Sequence, residues 1–358
     1  MKKFLTLLAG SSLAFYMQGC SDNGSSADDK PLSKGSVYVY TSEWTSATGD
    51  LLWIDEDGKL SKDKLEFYQD SRIVGVDGNL FVLEGMGKDN IVLIDPSNNE
   101  KKWQKSLEDL ANPSDVVKAN KDEVWVALKD ISKLIKVSVK DGEVTKTVKT
   151  DAFEVKKGEA PHVIDLVTRH DTLFALFQRY IPGNPSYDYS NPGLLAMYKL
   201  DDGKLLDTVR LEKNNPQAMG FAKGKLYVGS LGDYATEKMY GIEVVDLAKK
   251  KSSVVVDGKT LGGGAYAMAF NSKDGVAYVA VYEGWGKITL AEVDLSEKSV
   301  KTIEGVSNIT GSLAYDEASG VLYVGNEDYV YTYEDGKLSK VENAVKDVLP
   351  PYSITIVR

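Results

Sequence analysis

One short pattern recurs along this chain and limits what it can fold into. A turn residue is followed by an apolar residue, an aromatic and then usually Val. It reads "GSVYVYTS" at Gly35, "GNLFVLEG" at Gly78, "DEVWVALK" at Asp122, "DTLFALFQ" at Asp171, "GKLYVGSL" at Gly224, "GVAYVAVY" at Gly275 and "GVLYVGNE" at Gly320. Aromatic and β-branched residues alternating with period two are the signature of a strand. A second motif follows each copy, as in "LLWIDEDGKL", "AMYKLDDGKL" and "YVYTYEDGKL". It reads as strand, tight turn, strand, with Asp-Gly supplying the positive φ that hairpins require. A third motif precedes each aromatic strand, as in "RIVGV", "HVIDL" and "YAMAF", and the C-terminus closes on a spare copy, "YSITI".

The unit is thus about 40 to 48 residues with four short strands, the repeat length of a propeller blade. One interval is longer, about 60 residues, and holds an insertion. The N-terminal unit lacks its first strand and the C-terminus carries one extra. Together they complete one blade and leave no open edge. Seven aromatic strands predict an all-β, seven-bladed β-propeller. Long helical patterns are missing, which disfavours an α/β fold. A two-domain β-sandwich also suits short strands at regular spacing.

The "LYVG" and "YVAV" strands with their "VDL" turns resemble those of the YVTN/YncE-like seven-bladed propellers, a broad group of bacterial exported proteins. The resemblance covers nearly everything after residue 34. It implies the fold and leaves function open, because one scaffold hosts many activities.

The N-terminus reads as an address. Lys2 and Lys3 form a positive n-region, and Phe4 to Tyr16 an apolar stretch too short to span a bilayer comfortably. Gly19 directly precedes Cys20, the only cysteine. This segment resembles the lipobox of bacterial lipoproteins, which implies cleavage before Cys20 and acylation of its sulfur, by palmitate for example. Acyl chains anchor at about 0.8 kcal/mol per buried methylene. The following "SDNGSSADDKPLSKG" is almost free of apolar residues and reads as a tether. The expected division is signal peptide 1–19, lipidated cysteine and tether 20–34, and propeller 35–358. The expected location is the cell envelope, at the outer membrane, with cell-surface exposure left open by Asp22, Asp28 and Asp29, which loosely resemble export signals.

Two groups of residues are candidates for a site. The longest loops join the second and third strands of a blade, and they carry Trp44, Tyr180, Tyr187, Tyr189, Tyr234, Tyr240 and Trp285. Loop aromatics offer flat faces to sugar rings, apolar ligands or partner proteins. Pro182, Pro185 and Pro192 would stiffen the insertion around Tyr187. The mouth of the central channel is the second candidate. Arg72, Asp115, His162, Gln217, Tyr266, Gly311 and Tyr352 start the inner strands, a mixed polar ring suited to a small ligand.

The net charge of −10, with lysines interspersed among acids, disfavours nucleic acid. With one cysteine and two histidines eight apart, no multi-ligand metal site is supported, and no cofactor is expected. No Gly-x-Ser-x-Gly elbow occurs, and among 53 acids no glycosidase pair can be singled out. The expected protein is therefore a monomeric, non-enzymatic, lipid-anchored propeller that binds a protein or glycan through its aromatic loops. The alternative is a lactonase-like hydrolase, with Arg72 polarising a carbonyl, His162 as general base and Asp115 orienting it.

Overall fold

The computed structural model describes residues 36–55, 57–183, 186–234, 236–342 and 349–358. Cys20, the signal-like segment and the tether lie outside them, as does Pro185. The described chain forms seven four-stranded antiparallel sheets. Each sheet is one blade, with strands A to D running from the channel outward. Blade 2 is representative: A is Ser71–Val76, B Asn79–Glu84, C Asn90–Asp95 and D Glu100–Ser106. The alternation seen in the sequence follows from burial on both faces: "NLFVLE" in strand B is buried from Leu80 through Glu84, whereas strand D, "EKKWQKS", is mostly solvated.

Blade 1 takes its A strand from the C-terminus. Pro351–Ile356 pairs antiparallel with Val37–Thr41, matching Val37 with Ile356 and Val39 with Ile354. That strand also packs against the A strands of blade 2 and blade 7 (Ile309–Asp316), so the ring closes without a free inner edge. The core is a series of apolar seams between neighbouring blades. In one of them Gly220 of blade 5 faces the ring of Phe270 in blade 6 so closely that a Cβ would overlap it.

Side chains also stitch the inner strands across blades. Asp115 Oδ2 accepts the Leu166 N–H of blade 4 at 2.7 Å, and Asp165 Oδ2 accepts the Met219 N–H of blade 5 at 2.6 Å. Thr355 Oγ1 of blade 1 accepts the Gly75 N–H of blade 2 at 2.8 Å. Asp115 and Asp165 are in contact and almost fully buried. Burial, the largest cause in each, pushes both carboxyls upward, and two touching carboxylates cannot both ionise.

Antiparallel order places the B–C and D–A connections of every blade on one face of the ring and the A–B and C–D turns on the other. The long loops and the starts of the A strands therefore share the mouth face. The described chain begins at Ser36, where strand B of blade 1 enters from the opposite face.

Candidate functional site

Two backbone devices shape the channel mouth. The first is a β-bulge near the start of the A strand. The register skips one residue between Pro216 and Ala218, between Ala265 and Ala267, and between Pro351 and Ser353. The extra residues are Gln217, Tyr266 and Tyr352, three of the residues expected at the mouth. A bulged residue leaves the ladder and re-aims its side chain. Arg72 lies in blade 2, where the ladder is regular and it pairs with Leu83.

The second device is a left-handed residue just before the A strand. Asn112, Asn215 and Asn308 occupy it in blades 3, 5 and 7, and His162 in blade 4, with φ between +44° and +55°. Asn adopts this conformation with little strain, so His162 is the exception. Its imidazole is buried, lies flat on Tyr180 at 3.8 Å between centroids, and bonds through Nδ1 to Asp130 Oδ1 at 3.0 Å. Asp130 is held in turn by Asn112 Nδ2 at 2.6 Å. His162 Nε2 is buried without a partner among the described residues.

Next to it lies an amide cluster. Asn215 Nδ2 donates to the Gly232 carbonyl at 2.9 Å. Gln178 Nε2 and Gln217 Nε2 both donate to Asn215 Oδ1, at 2.9 and 2.8 Å. Their oxygens, Gln178 Oε1 and Gln217 Oε1, are buried and accept nothing from the described residues.

The aromatics close over this floor. Tyr180 contacts Tyr187 and Tyr189 at 5.3 and 5.5 Å; Tyr189 contacts Tyr234 at 5.5 Å; Tyr234 contacts Tyr282 at 5.5 Å; and Tyr282 contacts Tyr266 at 6.1 Å. One continuous arc of rings thus crosses blades 4, 5 and 6. The Tyr234 hydroxyl ties it to the floor through Asn215 and to its neighbour Tyr189. Burial raises the Tyr189, Tyr234 and Tyr266 phenols above their ordinary range, so all three remain protonated donors.

The opposite side of the mouth is charged. Arg72 reaches the Ser114 carbonyl at 3.4 Å, and Tyr352 contacts both Arg72 and Asp70. Lys129 is almost fully buried here, and burial pushes its amine down to about 8 against the opposing pull of Asp130.

Of the residues singled out from sequence, Tyr180, Tyr187, Tyr189, Tyr234 and Tyr266 meet in the arc, with His162 and Gln217 beneath. The loop set and the channel set form one surface. Trp44 and Trp285 stay apart at loop tips, 55% and 87% exposed. Tyr240 packs down on Gly232, whose Cβ would lie 3.1 Å from the Tyr240 ring. Asp115 sits in the seam between blades, where Val116 and Leu166 N–H groups occupy its oxygens. Asp130, Gln178, Asn215, Tyr282 and Lys129 join the site without having stood out in the sequence. A signal existed for one of them: Asn215 shares its repeat position, just before the A strand, with Asn112, His162 and Asn308.

Fold and mouth define the class as a seven-bladed β-propeller with a tyrosine-lined channel mouth. No family model matches the chain, and no curated protein matches it. Among solved structures it is similar to Kuenenia stuttgartiensis hydrazine synthase, with a TM-score of 0.59 and 12% identity over 90% of this chain and 98% of that one. Likeness at that identity establishes the fold alone.

Proposed function

We propose that this protein is a lipid-anchored propeller of the bacterial cell envelope that binds a glycan at the channel mouth. The observation that carries the reading is the unbroken arc of tyrosine rings lying over buried, unpartnered polar atoms. Ring faces stack on the C–H faces of a sugar while the floor takes its polar groups. The aromatic-strand repeat supports grouping the chain with the YVTN/YncE-like exported propellers. The lipobox-like Gly19-Cys20 supports the anchor. Ser21 to Gly35 would reach at most roughly 50 Å when extended. Strand B of blade 1 starts on the face away from the mouth, so an anchor at Cys20 would join the propeller on that far side.

A glycan array on the soluble propeller, followed by calorimetry, tests this. Tyr187→Ala and Tyr234→Ala should each weaken binding at least tenfold, about 1.4 kcal/mol. Binding unchanged in both variants would remove the site assignment. Capture of a protein through the exposed Trp44 and Trp285 instead would point to a protein-binding propeller.

The second reading, a lactonase-like hydrolase, is favoured by one observation, the bond from His162 Nδ1 to Asp130 with Nε2 bonded to no described residue. Asp130 replaces Asp115 as the residue orienting the imidazole. A panel of lactones and esters with His162→Ala as control decides it: no turnover ends the idea.

A further inference from the structure

The hydrogen-bond orientation of the floor follows from two fixed acceptors. The Gly232 carbonyl can only accept, so the Asn215 amide must turn its NH₂ toward it. Asn215 Oδ1 then faces the two glutamines, and each must present its NH₂ to that oxygen. Flipping either glutamine would set oxygen against oxygen. Both Oε1 atoms are therefore left as acceptors. The second fixed acceptor is the Asp130 carboxylate, which takes the Nδ1 proton of His162; in the imidazole form of the ring, Nε2 is then a lone pair.

Three such buried atoms thus lie on neighbouring side chains at the junction of blades 4 and 5, each side chain at least nine-tenths buried. The Gln178 N–H bonds the His162 carbonyl at 3.0 Å, and both glutamines touch Asn215, which keeps the three side chains together. An anionic ligand would meet only lone pairs here. A hydroxyl supplies one donor and brings lone pairs of its own. A primary ammonium supplies three donors and no lone pair, which matches the floor. Tyr180, stacked on His162, and Tyr234, in contact with Asn215, add ring faces that attract a cation. Arg72 and Lys129 belong to blades 2 and 3, where Asp70 and Asp130 stand beside them, and Arg179, between Gln178 and Tyr180, gives its guanidinium to the Phe153 and Pro192 carbonyls.

From this we infer that the glycan reading narrows to an amino sugar. The acceptors Gln178 Oε1, Gln217 Oε1 and His162 Nε2 receive a protonated primary amine, and the tyrosine arc holds the pyranose. The inference rests on the proposed glycan function but can fail separately from it.

The test is calorimetry of the full propeller with four probes at neutral pH: a glucosamine oligosaccharide, its N-acetylated counterpart, a cello-oligosaccharide of equal length, and propylamine. The glucosamine oligomer should bind at least tenfold more tightly than the N-acetylated and neutral sugars. Gln217→Met, checked for folding by circular dichroism, should erase that preference while leaving residual sugar binding. If the three sugars bind alike and Tyr234→Ala weakens all of them, the amine inference is wrong and the glycan reading stands. If propylamine alone binds, and binding depends on Gln217, the amine subsite stands and the glycan reading falls. Binding of none of the four overturns both and leaves the floor to water.

Discussion

Replacing Asp165 by Asn should stabilise this protein and remove part of its pH dependence. Asp115 takes an N–H on each oxygen, from Val116 at 2.8 Å and Leu166 at 2.7 Å. Asp165 takes one, from Met219 at 2.6 Å, and its Oδ1 receives none. The proton that the pair retains therefore sits on Asp165 Oδ1 and points to Asp115. In the unfolded chain both acids ionise near the ordinary value of about 3.9. Above about pH 4 the native state thus binds more protons than the unfolded state, and stability falls with rising pH. The slope is about 1.4 kcal/mol per pH unit until the native pair gives up its proton. Each proton so retained costs the fold roughly 3 kcal/mol between about pH 5 and about pH 7. In Asp165→Asn, Nδ2 replaces the carboxyl O–H toward Asp115 and Oδ1 still accepts Met219, with no proton to lose. Asp115→Asn should do the reverse, since its NH₂ must face an N–H, at a cost of about 1–3 kcal/mol. Urea denaturation followed by tryptophan fluorescence, across that pH range, measures both. The assignment is refuted if Asp165→Asn runs parallel to the parent with pH, or if the two variants behave alike.

Gly220→Ala would press a methyl into the Phe270 ring of the next blade and should cost about 1–3 kcal/mol in thermal or chemical melts. A melt within experimental error of the parent would show that the seam relaxes. His162→Asn should be close to neutral in stability, because Asn suits the left-handed backbone while the stacking on Tyr180 is lost, yet ligand binding should fall at least tenfold. Collapse of the melting temperature instead would assign His162 to the scaffold. Cys20→Ala should abolish incorporation of labelled palmitate and release the protein from membranes; normal anchoring of that variant would disprove lipidation.

How far the sequence carries depends on the range of the interaction being read. Period-two alternation and Asp-Gly turns are local, so "GNLFVLEG" and its six relatives reveal the strands, and the displaced strand at the C-terminus reveals closure. The channel mouth is assembled differently. Gln217, Tyr266 and Tyr352 point where they do because one residue slips out of register, an event that leaves no mark on the hydrophobic pattern. Asp115 and Asp165 look like ordinary strand-start acids until ring closure presses them together across a blade seam. Asp130 looks like a turn residue until the ring brings His162 to it. Strand propensity and turn chemistry belong to neighbours in sequence, and they were enough to specify seven blades. The site belongs to residues tens of positions apart, brought together only by the circular packing of those blades.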